Sequence, residues 1–294
     1  MATPSLGELG IWTWLDSLSF PEAIRFAQGC EALGYGTLWV PEAVGRDPFV
    51  LLTALATQTQ SLRLATGIAN IYARDPMAMN AARRSLDELS GGRLVLGLGV
   101  SHPEMVSSLR QHEYGKPLST MRNYVQAMQQ SFYAGPAPEQ SGPVMLAALR
   151  EKMLGLSAEV ADGAHPYFVT PEHTARAREI LGPGKLLAPE QKVMLETSAS
   201  TARAASRKFM APYLGMQNYR NNLLTLGFGE ADFENGGSDR LVDAIVAWGD
   251  ETVIRDRIEA HRKAGADHVA LQPLRPDGEM GPDEKVVRAF APKG

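Results

Sequence analysis

The stretch of residues 63–104 constrains the fold most, because strands, a helix and loops follow one another in it. Residues 63–68 form a short β-like run, a polar loop covers residues 69–75, and Pro76 begins a helix, where its missing N–H does no harm. Ser90-Gly91-Gly92 ends that helix, and the nearly all-apolar residues 93–100 predict a strand buried on both faces. The stretch therefore predicts a βαβ unit with an accessible loop after each strand.

The same alternation continues along the chain. Short Gly-containing turns of similar composition precede predicted strands at residues 33–36, 161–163 and 264–267. Repeated βα units of this kind predict a parallel sheet. We predict eight strands, at residues 9–14, 37–40, 63–68, 93–100, 144–148, 164–168, 186–196 and 268–272.

Eight parallel strands favour a closed α/β architecture, a (β/α)8 TIM barrel formed by residues 1–294 as a single domain. Residues 197–238 resemble an insertion region after strand seven. The alternative is an open doubly wound sheet, in which a Gly-rich phosphate-binding turn is expected after strand one. Strand one instead ends in Trp12-Thr13-Trp14-Leu15-Asp16, so we prefer the barrel.

Composition narrows the class of protein. The net charge is −4 with both signs interspersed, which argues against a nucleic-acid partner or an anionic membrane surface. Cys30 is the one cysteine, which excludes an internal disulfide and fits a reducing compartment, and we expect it to be a buried small hydrophobe. No secretory signal and no membrane-spanning apolar run are visible, so we expect a cytoplasmic protein.

Polar and aromatic side chains follow several predicted strands, where barrel active sites lie. His102 comes directly after an apolar strand, and such a histidine is a better catalytic candidate than one elsewhere, although a lone histidine is more often structural. Trp12 and Trp14 could form an aromatic wall for a flat ring, or they could be ordinary packing. Glu42 is either a solvated loop acid or a functional one, and the residues alone leave this open.

The segment from Leu146 to Lys152 ends one strand and begins a helix. Free N–H groups at a helix start can hold a phosphate, and Arg150 or Lys152 could add positive charge. On the residues alone, an ordinary barrel turn with surface cations is the better interpretation. We find no zinc, di-metal or nucleophile-elbow pattern, so we predict no metal ligands and no hydrolase.

The chain resembles the luciferase-like (bacterial-luciferase-like) superfamily, and within it the coenzyme F420-dependent oxidoreductases. The resemblance rests on TGIANIYARDPMAMNAARRSLDELSGGRLVLGLGVSHPE, where a helix that begins at Pro, a D-x-L-S-x-G-R turn and an LGLG strand occur together. It continues in residues 9–14, 31–42 and 144–166. It implies cofactor-binding residues at the strand ends: Trp12, Gly67, Ile68, Asn70, Gly99, Val100, Ser101, Ala148, Leu149 and Arg150.

The resemblance also implies an activity. Hydride would pass between C5 of the deazaflavin of coenzyme F420 and a small-molecule substrate, with His102 and Glu42 as catalytic residues. Substrate-binding residues would be Trp14, His165 and Tyr167. The alternatives are a flavin mononucleotide (FMN)-dependent luciferase-like monooxygenase on the same fold and a non-catalytic flavin-binding relative.

Three further expectations come from the resemblance. Relatives carry a non-prolyl cis peptide bond at the end of strand three, and the matching bond is Gly67-Ile68. Sugar-phosphate-oxidising relatives place a His after the acid at the end of strand two, where this chain has Ala43, so another alcohol, or reduction of a carbonyl or unsaturated compound, is expected. Relatives are commonly dimers, and we expect a homodimer that uses the helix after Asp47 and the helix after Pro76.

Overall fold

A computed structural model describes residues 5–292 of the chain. Its strands are β1 (Leu9–Trp12), β2 (Thr37–Val40), β3 (Arg63–Thr66), β4 (Ala69–Asn70), β5 (Leu94–Gly99), β6 (Val144–Leu146), β7 (Gly163–Ala164), β8 (Leu186–Leu187), β9 (Glu190–Leu195), β10 (Val246–Gly249) and β11 (Val269–Pro273). Its helices are α1 (Phe20–Ala32), α2 (Pro48–Ala56), α3 (Pro76–Ser90), α4 (Pro117–Gln130), α5 (Glu151–Val160), α6 (Pro171–Leu181), α7 (Ala199–Leu214), α8 (Gln217–Thr225), α9 (Asp239–Ile245), α10 (Glu251–Lys263) and α11 (Glu284–Ala289).

All strand pairs in the described part of the chain are parallel, as the βα alternation predicts. The strand order is β10-β9-β11-β1-β2-β3-β5-β6-β7-β8, and β4 pairs with β5 outside this path. Only Ala188 and Pro189 separate β8 from β9, which stand at different ends of that order. The Ala188 N–H donates to Ala164 O at 3.0 Å, and Pro189 O accepts from Ala270 at 2.9 Å. The sheet therefore curls until its two sides meet at this segment, and the predicted parallel α/β architecture is confirmed.

The sheet has an inner and an outer face, and each face packs a different core. The inner cluster consists of Leu6, Trp12, Trp39, Ala65, Val95, Met145, Ala188 and Ala270. The outer core lies between the strands and the surrounding helices and is dominated by Leu, Ile, Val and Met side chains. Burial on both faces explains why strands such as β5 are apolar along their whole length.

Helix starts follow the sequence signals. At α1, the Glu22 carboxylate accepts from the Ser19 backbone N–H at 2.7 Å and from its hydroxyl at 2.6 Å. Asp47 and Asp75 cap α2 and α3, each accepting two backbone N–H groups, and a Pro follows each of these aspartates. These caps fix the residue at which each helix begins, and so limit the loops that connect the strand ends to α1, α2 and α3.

Two predicted strands are interrupted in the structure. The predicted strand at residues 63–68 is continued as β3 and β4 around a cis peptide bond at Gly67-Ile68, so the expected bond is confirmed. The predicted strand at residues 186–196 is split into β8 and β9, because Pro189 has no N–H to contribute to the ladder.

The region between β9 and α10 contains one strand that is not among the eight predicted. A turn at Gly215 separates α7 from α8, and α9 ends at Ile245 because Val246 to Gly249 pair with Lys192 to Leu195 as β10. A short helical turn occupies Glu230–Gly236, and another, at Met105–Leu109, follows β5. That residues 197–238 are an insertion remains a prediction.

Two smaller expectations concern single features. Cys30 is 1% exposed on the inner side of α1, and burial raises its thiol pKa to about 12, so its predicted packing role is confirmed. No helix in the part of the chain that the structure describes is long and apolar enough to cross a bilayer.

Candidate active site

The floor of the site lies where β1, β3 and β5 end. The Trp12 indole N–H donates to Gly67 O at 2.9 Å, next to the cis bond. A Cβ on Gly67 would lie 2.6 Å from Trp12 Nε1, so this close approach requires glycine. A Cβ on Gly99 would lie 2.4 Å from Ile68 Cδ1. The two glycines therefore let the Gly67-Ile68 peptide sit flat against its neighbours, with the Ile68 side chain over β5.

Asn70 stabilises the other end of the segment from Gly67 to Asn70. It pairs with Gly99 in the sheet, and its side-chain oxygen accepts the Tyr72 N–H at 2.9 Å. Asn70 is 3% exposed, so its predicted role in cofactor binding would depend on this local order more than on direct exposure. The loop after β5 continues with Val100 and with Ser101, whose φ of 57° is unusual for a residue with a side chain.

Aromatic rings form one wall of the mouth. The Trp12 ring packs edge-on against Trp14 at 5.7 Å between centroids and lies 5.0 Å from Tyr167. The Tyr167 hydroxyl donates to Gln272 Oε1 at 3.0 Å and lies 3.0 Å from the Tyr213 hydroxyl. The structure therefore adds Tyr167 to the aromatic wall considered for Trp12 and Trp14.

His165 lies deeper than the rings of this wall. It is 1% exposed, stacks on Trp39 at 4.2 Å between centroids, and Nδ1 lies 2.6 Å from Ala188 O. Burial lowers its pKa to about 3, so the imidazole is neutral, and Nε2 has no hydrogen-bond partner among the described residues. A Cβ on Gly67 would be 3.4 Å from this Nε2. His165 therefore supports the floor from beneath; its predicted substrate contact remains a prediction.

A cleft of about 770 Å³ begins at Val100, directly after the end of β5. It is bounded by the loop after β5, by the start of α5 and by α8, and its lining includes Val100, Ser101, His102, Tyr114, Ala147, Leu149, Arg150, Lys152, Arg176 and Asn222. Its volume falls in the range of about 300–1,000 Å³ that is typical of small-molecule sites.

The start of α5 forms the far end of this cleft. Arg150 is its N-cap and no side chain caps the first turn, so the first N–H groups of α5 are available to an anion. Arg150, Lys152 and Arg176 line this end and are exposed. Ala148 is 1% exposed and packs with α5 and α6, so its contribution is to place the helix start.

His102 stands between the floor and the cleft. It is partly buried, and its ring lies 5.5 Å from that of Tyr219 on α8. Burial lowers its pKa below the usual 6.5, and the nearby Glu104 only partly opposes this. The imidazole is therefore largely neutral at neutral pH, the form that accepts a proton.

Glu42 is held in an ion pair. Its carboxylate accepts from Arg74 at 2.9 Å and from the Asn70 backbone N–H at 2.8 Å, and its side chain is 7% exposed. Arg74 also pairs with Asp47, the N-cap of α2. Because both Glu42 oxygens are engaged, the geometry favours positioning the Gly67–Asn70 segment over direct proton transfer. The catalytic role predicted for it is untested.

The sequence prediction missed several residues of the mouth. Tyr213 and Tyr219 reach it from α7 and α8, and Asn222 is 2% exposed with an Nδ2 that has no partner among the described residues. Glu190 and Lys192 form a buried pair beside Tyr167. The one signal for the pair was visible, since two opposite charges two residues apart in a predicted buried strand are unusual.

Residues 5–292 contain no cluster of three or more His, Cys, Asp or Glu side chains that could hold a metal ion.

The comparisons with known proteins address the family directly. A family model described as luciferase-like monooxygenase matches residues 6–268. The chain belongs to the luciferase-like monooxygenase family. A putative coenzyme F420-dependent oxidoreductase of Mycobacterium tuberculosis is 29% identical over 252 residues, which is 71% of each chain. A 5,10-methylenetetrahydromethanopterin reductase of Methanolobus tindarius is 30% identical over 157 residues, 47% of this chain and 48% of that protein.

Several solved structures share the fold of this chain. The coenzyme F420-dependent tetrahydromethanopterin reductase of Methanopyrus kandleri has a TM-score of 0.74 at 19% identity and 97% coverage of both chains. An F420-dependent secondary alcohol dehydrogenase has a TM-score of 0.73 at 14% identity, covering 92% of this chain and 93% of that one. The FMN-bound oxygenating component of 3,6-diketocamphane monooxygenase from Pseudomonas putida has a TM-score of 0.68 at 14% identity, covering 90% and 92%.

The ion pair of Glu42 gives a prediction for this luciferase-like chain. In Glu42→Gln, the charge-assisted contacts to Arg74 and to the Asn70 N–H weaken, and we expect the free energy of unfolding to fall by about 1.5–3 kcal/mol. The measurement is urea unfolding at neutral pH. Glu104→Gln is the matched control, because Glu104 is an exposed carboxylate at the same mouth. An unchanged stability in Glu42→Gln would contradict the positioning role.

Proposed function

We propose that this chain is a coenzyme F420-dependent oxidoreductase that transfers a hydride between the deazaflavin and a small organic substrate. The observation that carries the proposal is one cleft that is lined by His102 and by the uncapped start of α5 and that begins at Val100, directly after the end of β5. The name of the Mycobacterium tuberculosis relative supports the choice of cofactor. On the fold, we propose a complete (β/α)8 barrel in which residues 197–238 are an insertion that supplies Tyr213 and Tyr219.

The residues of the floor and of the cleft would each hold one part of such a cofactor. Its ring would lie against the Gly67-Ile68 floor, where Gly67 lets Trp12 pack closely and Gly99 lets Ile68 pack closely. In the cleft, the free N–H groups of α5 with Arg150 and Lys152 fit a phosphate. The unpartnered Asn222 Nδ2 is a further donor on the cleft wall. The cofactor, when bound, supplies the hydride chemistry, and the protein supplies position, water exclusion and protons.

The remaining chemistry belongs to the side chains above the floor. Trp14 and Tyr167 would hold the substrate against the floor. The partly buried, neutral His102 would accept the proton that a substrate alcohol releases at its oxygen, or return it to a carbonyl oxygen in the reverse direction. Ala43 provides no second imidazole, so we propose a substrate other than a sugar phosphate.

The second candidate is an FMN-dependent monooxygenase, because the same floor and the same helix start also suit a flavin ring and its phosphate. The FMN-bound monooxygenase structure from Pseudomonas putida shows that this fold accommodates that cofactor. A third possibility, a flavin-binding protein without turnover, is separated from both by an activity measurement.

The first experiment titrates the purified protein with F420 and with FMN, followed by fluorescence. We expect tighter binding of F420. In Arg150→Gln/Lys152→Gln, lost charge-assisted hydrogen bonds of about 1.5–3 kcal/mol should weaken F420 binding by about 10–100-fold. Binding of the deazaflavin chromophore that lacks the phosphate should not change.

The control for this titration is Arg122→Gln, which removes a guanidinium paired with Glu159 on the surface. Preferential binding of FMN would favour the second candidate, an FMN-dependent monooxygenase. An equal loss of phosphate-free and phosphorylated cofactor in the double variant would contradict the phosphate site at α5.

The second experiment concerns His102. With oxidised F420 and propan-2-ol, turnover of His102→Gln should fall by about 10²–10⁴-fold while cofactor affinity stays within a few-fold. Because burial lowers the pKa of His102, the imidazole is the neutral base above that pKa and loses this role as pH falls through it. The acidic limb of the wild-type rate should therefore lie below pH 6.5.

His112→Gln is the matched control, because His112 is an exposed histidine in the same loop region. Glucose 6-phosphate serves as the negative substrate, and reduced F420 with cyclohexenone tests the reverse direction. An acidic limb that persists in His102→Gln, or near-parental turnover, would return His102 to a structural role.

We also propose a homodimer that uses α2 and α3. Apolar side chains are exposed at the starts of these helices and in the loop before them: Val44 is 78% exposed, Val50 61% and Met77 56%. Exposed apolar groups that lie on neighbouring elements are typical of surfaces that bind another protein. α2 also buries Phe49, Leu51, Leu52 and Leu55 against the barrel, so Val50 is its outward apolar residue.

Light scattering after size exclusion at micromolar concentration tests the dimer. We expect twice the chain mass for the wild type and the mass of one chain for Val50→Asp/Met77→Asp, because the interface would bury unpaired charges. Val253→Asp is the control, since Val253 is 50% exposed on α10. A monomeric wild type would rule the proposal out.

A further inference from the structure

A buried ion pair lies inside the mouth and has no part in the chemistry proposed above. Glu190 and Lys192 are two residues apart on β9, so their side chains share the inner face of the sheet. Lys192 Nζ lies 2.7 Å from Glu190 Oε2, and the two side chains are 0% and 1% exposed respectively. Charged groups are rarely buried this completely unless they are paired.

Aromatic rings surround the Lys192 ammonium. Nζ lies 3.8 Å from the centroid of the Tyr167 ring and 4.9 Å from that of Phe168. Phe209 and Tyr213 on α7 follow at 5.6 and 5.7 Å. Each ring face attracts a cation, and this attraction strengthens away from water. The ammonium therefore holds rings of the β7 loop and rings of α7 around one point.

Glu190 contacts the same loop from its other side. Its Oε2 also accepts the backbone N–H of Phe168 at 3.2 Å, and Phe168 has a φ of 62°, which residues with side chains rarely adopt. Glu190 Oε1 has no partner among the described residues. The pair thus binds residues 167 and 168 twice, through the Tyr167 ring and through the Phe168 N–H.

Tyr167 connects the Glu190–Lys192 pair to the floor of the site. Its ring lies 5.0 Å from that of Trp12, and Trp12 donates to Gly67 O at 2.9 Å. A chain of direct contacts therefore leads from Lys192 through Tyr167 and Trp12 to the Gly67-Ile68 peptide.

Stability alone does not account for this arrangement. A buried ion pair is often no better for stability than apolar residues of similar volume. What an apolar pair could not supply is a cation that orients ring faces and a carboxylate that accepts a backbone N–H.

We propose that Lys192 and Glu190 are positioning residues that fix the distance between the Tyr167 wall and the Gly67-Ile68 floor, and so set which substrates fit between them. The proposal rests on the proposed function in one respect, that substrate lies against Tyr167. Small displacements at such a wall have large effects, because a misplacement of ~1 Å can cost ~10²-fold in rate.

The experiment compares Lys192→Met with Lys192→Met/Glu190→Gln, which leaves no lone buried charge. Near-ultraviolet circular dichroism, compared between each variant and the wild type without any ligand, reports changes in the packing of the aromatic cluster that contains Trp12 and Tyr167. Fluorescence titration gives the F420 dissociation constant. Reoxidation of reduced F420 by menadione, which takes up one hydride and one proton to become its hydroquinone, gives KM and kcat.

Gln191→Leu is the matched control. Gln191 lies on the same strand with its side chain on the outer face, where it bonds to His261, to Ile245 O and to the backbone oxygen of Lys192, and it is equally buried. Its replacement removes buried hydrogen bonds from β9 without touching the Tyr167 wall.

We expect both Lys192 variants to lose the near-ultraviolet signal of the ring stack and to raise KM for menadione about tenfold or more, with F420 affinity within about threefold. The double variant should recover thermal stability relative to Lys192→Met, and Gln191→Leu should change stability alone.

A double variant with the wild-type dichroism and KM would overturn the proposal. A wild type that binds no F420 would contradict the proposed function instead, and the dichroism would still decide the positioning role.

Discussion

The mouth of the site depends on the absence of side chains where the strands approach one another most closely. A Cβ on Gly97 would lie 2.1 Å from Thr66 O, one on Gly99 2.4 Å from Ile68 Cδ1, and one on Gly67 2.6 Å from Trp12 Nε1. No residue other than glycine fits such distances. Because these positions are glycine, β3 and β5 can close on each other and Ile68 can lie over β5. The floor of the site is therefore a closely packed layer in which the Ile68 side chain fills the space beside Gly99 and the Trp12 indole fills the space beside Gly67.

Two ion pairs at different sides of this floor make the same kinds of contact. The Glu42 carboxylate contacts Arg74 and accepts the backbone N–H of Asn70, at the end of the neighbouring strand. Glu190 contacts Lys192 and accepts the backbone N–H of Phe168, again at a neighbouring strand's end. In both, one acid joins a cation to an irregular strand end whose N–H would otherwise be unsatisfied. Both pairs are partly or fully shielded from water, so each holds its loop more firmly than an exposed pair would.

The sequence predicted the features that local pattern determines. The strands, the capped helix starts and Cys30 follow from hydrophobic period and cap chemistry, and the glycine and histidine loop after β5 follows from its position at a strand end. The α7 and α8 side chains at the mouth were not predictable in this way. Tyr213 lies 5.4 Å from Tyr167 between ring centroids, yet the two are far apart in the chain, and no local pattern records such a contact. β10 was missed because Val246-Ala247-Trp248 continues a helical apolar face until its pairing with β9 is known.

This division between local and long-range features bears on specificity. The floor is made of strand ends, and proteins with the same fold include a tetrahydromethanopterin reductase and a diketocamphane monooxygenase. The fold alone therefore does not select the substrate, since one fold serves many reactions. In this chain, Tyr213 of α7 and Tyr219 of α8 add rings beside Tyr167, and Lys192 lies between Tyr167 and the rings of α7. Under the proposed function, substrate choice should therefore depend on Tyr167, on these helices and on the ion pair that contacts them.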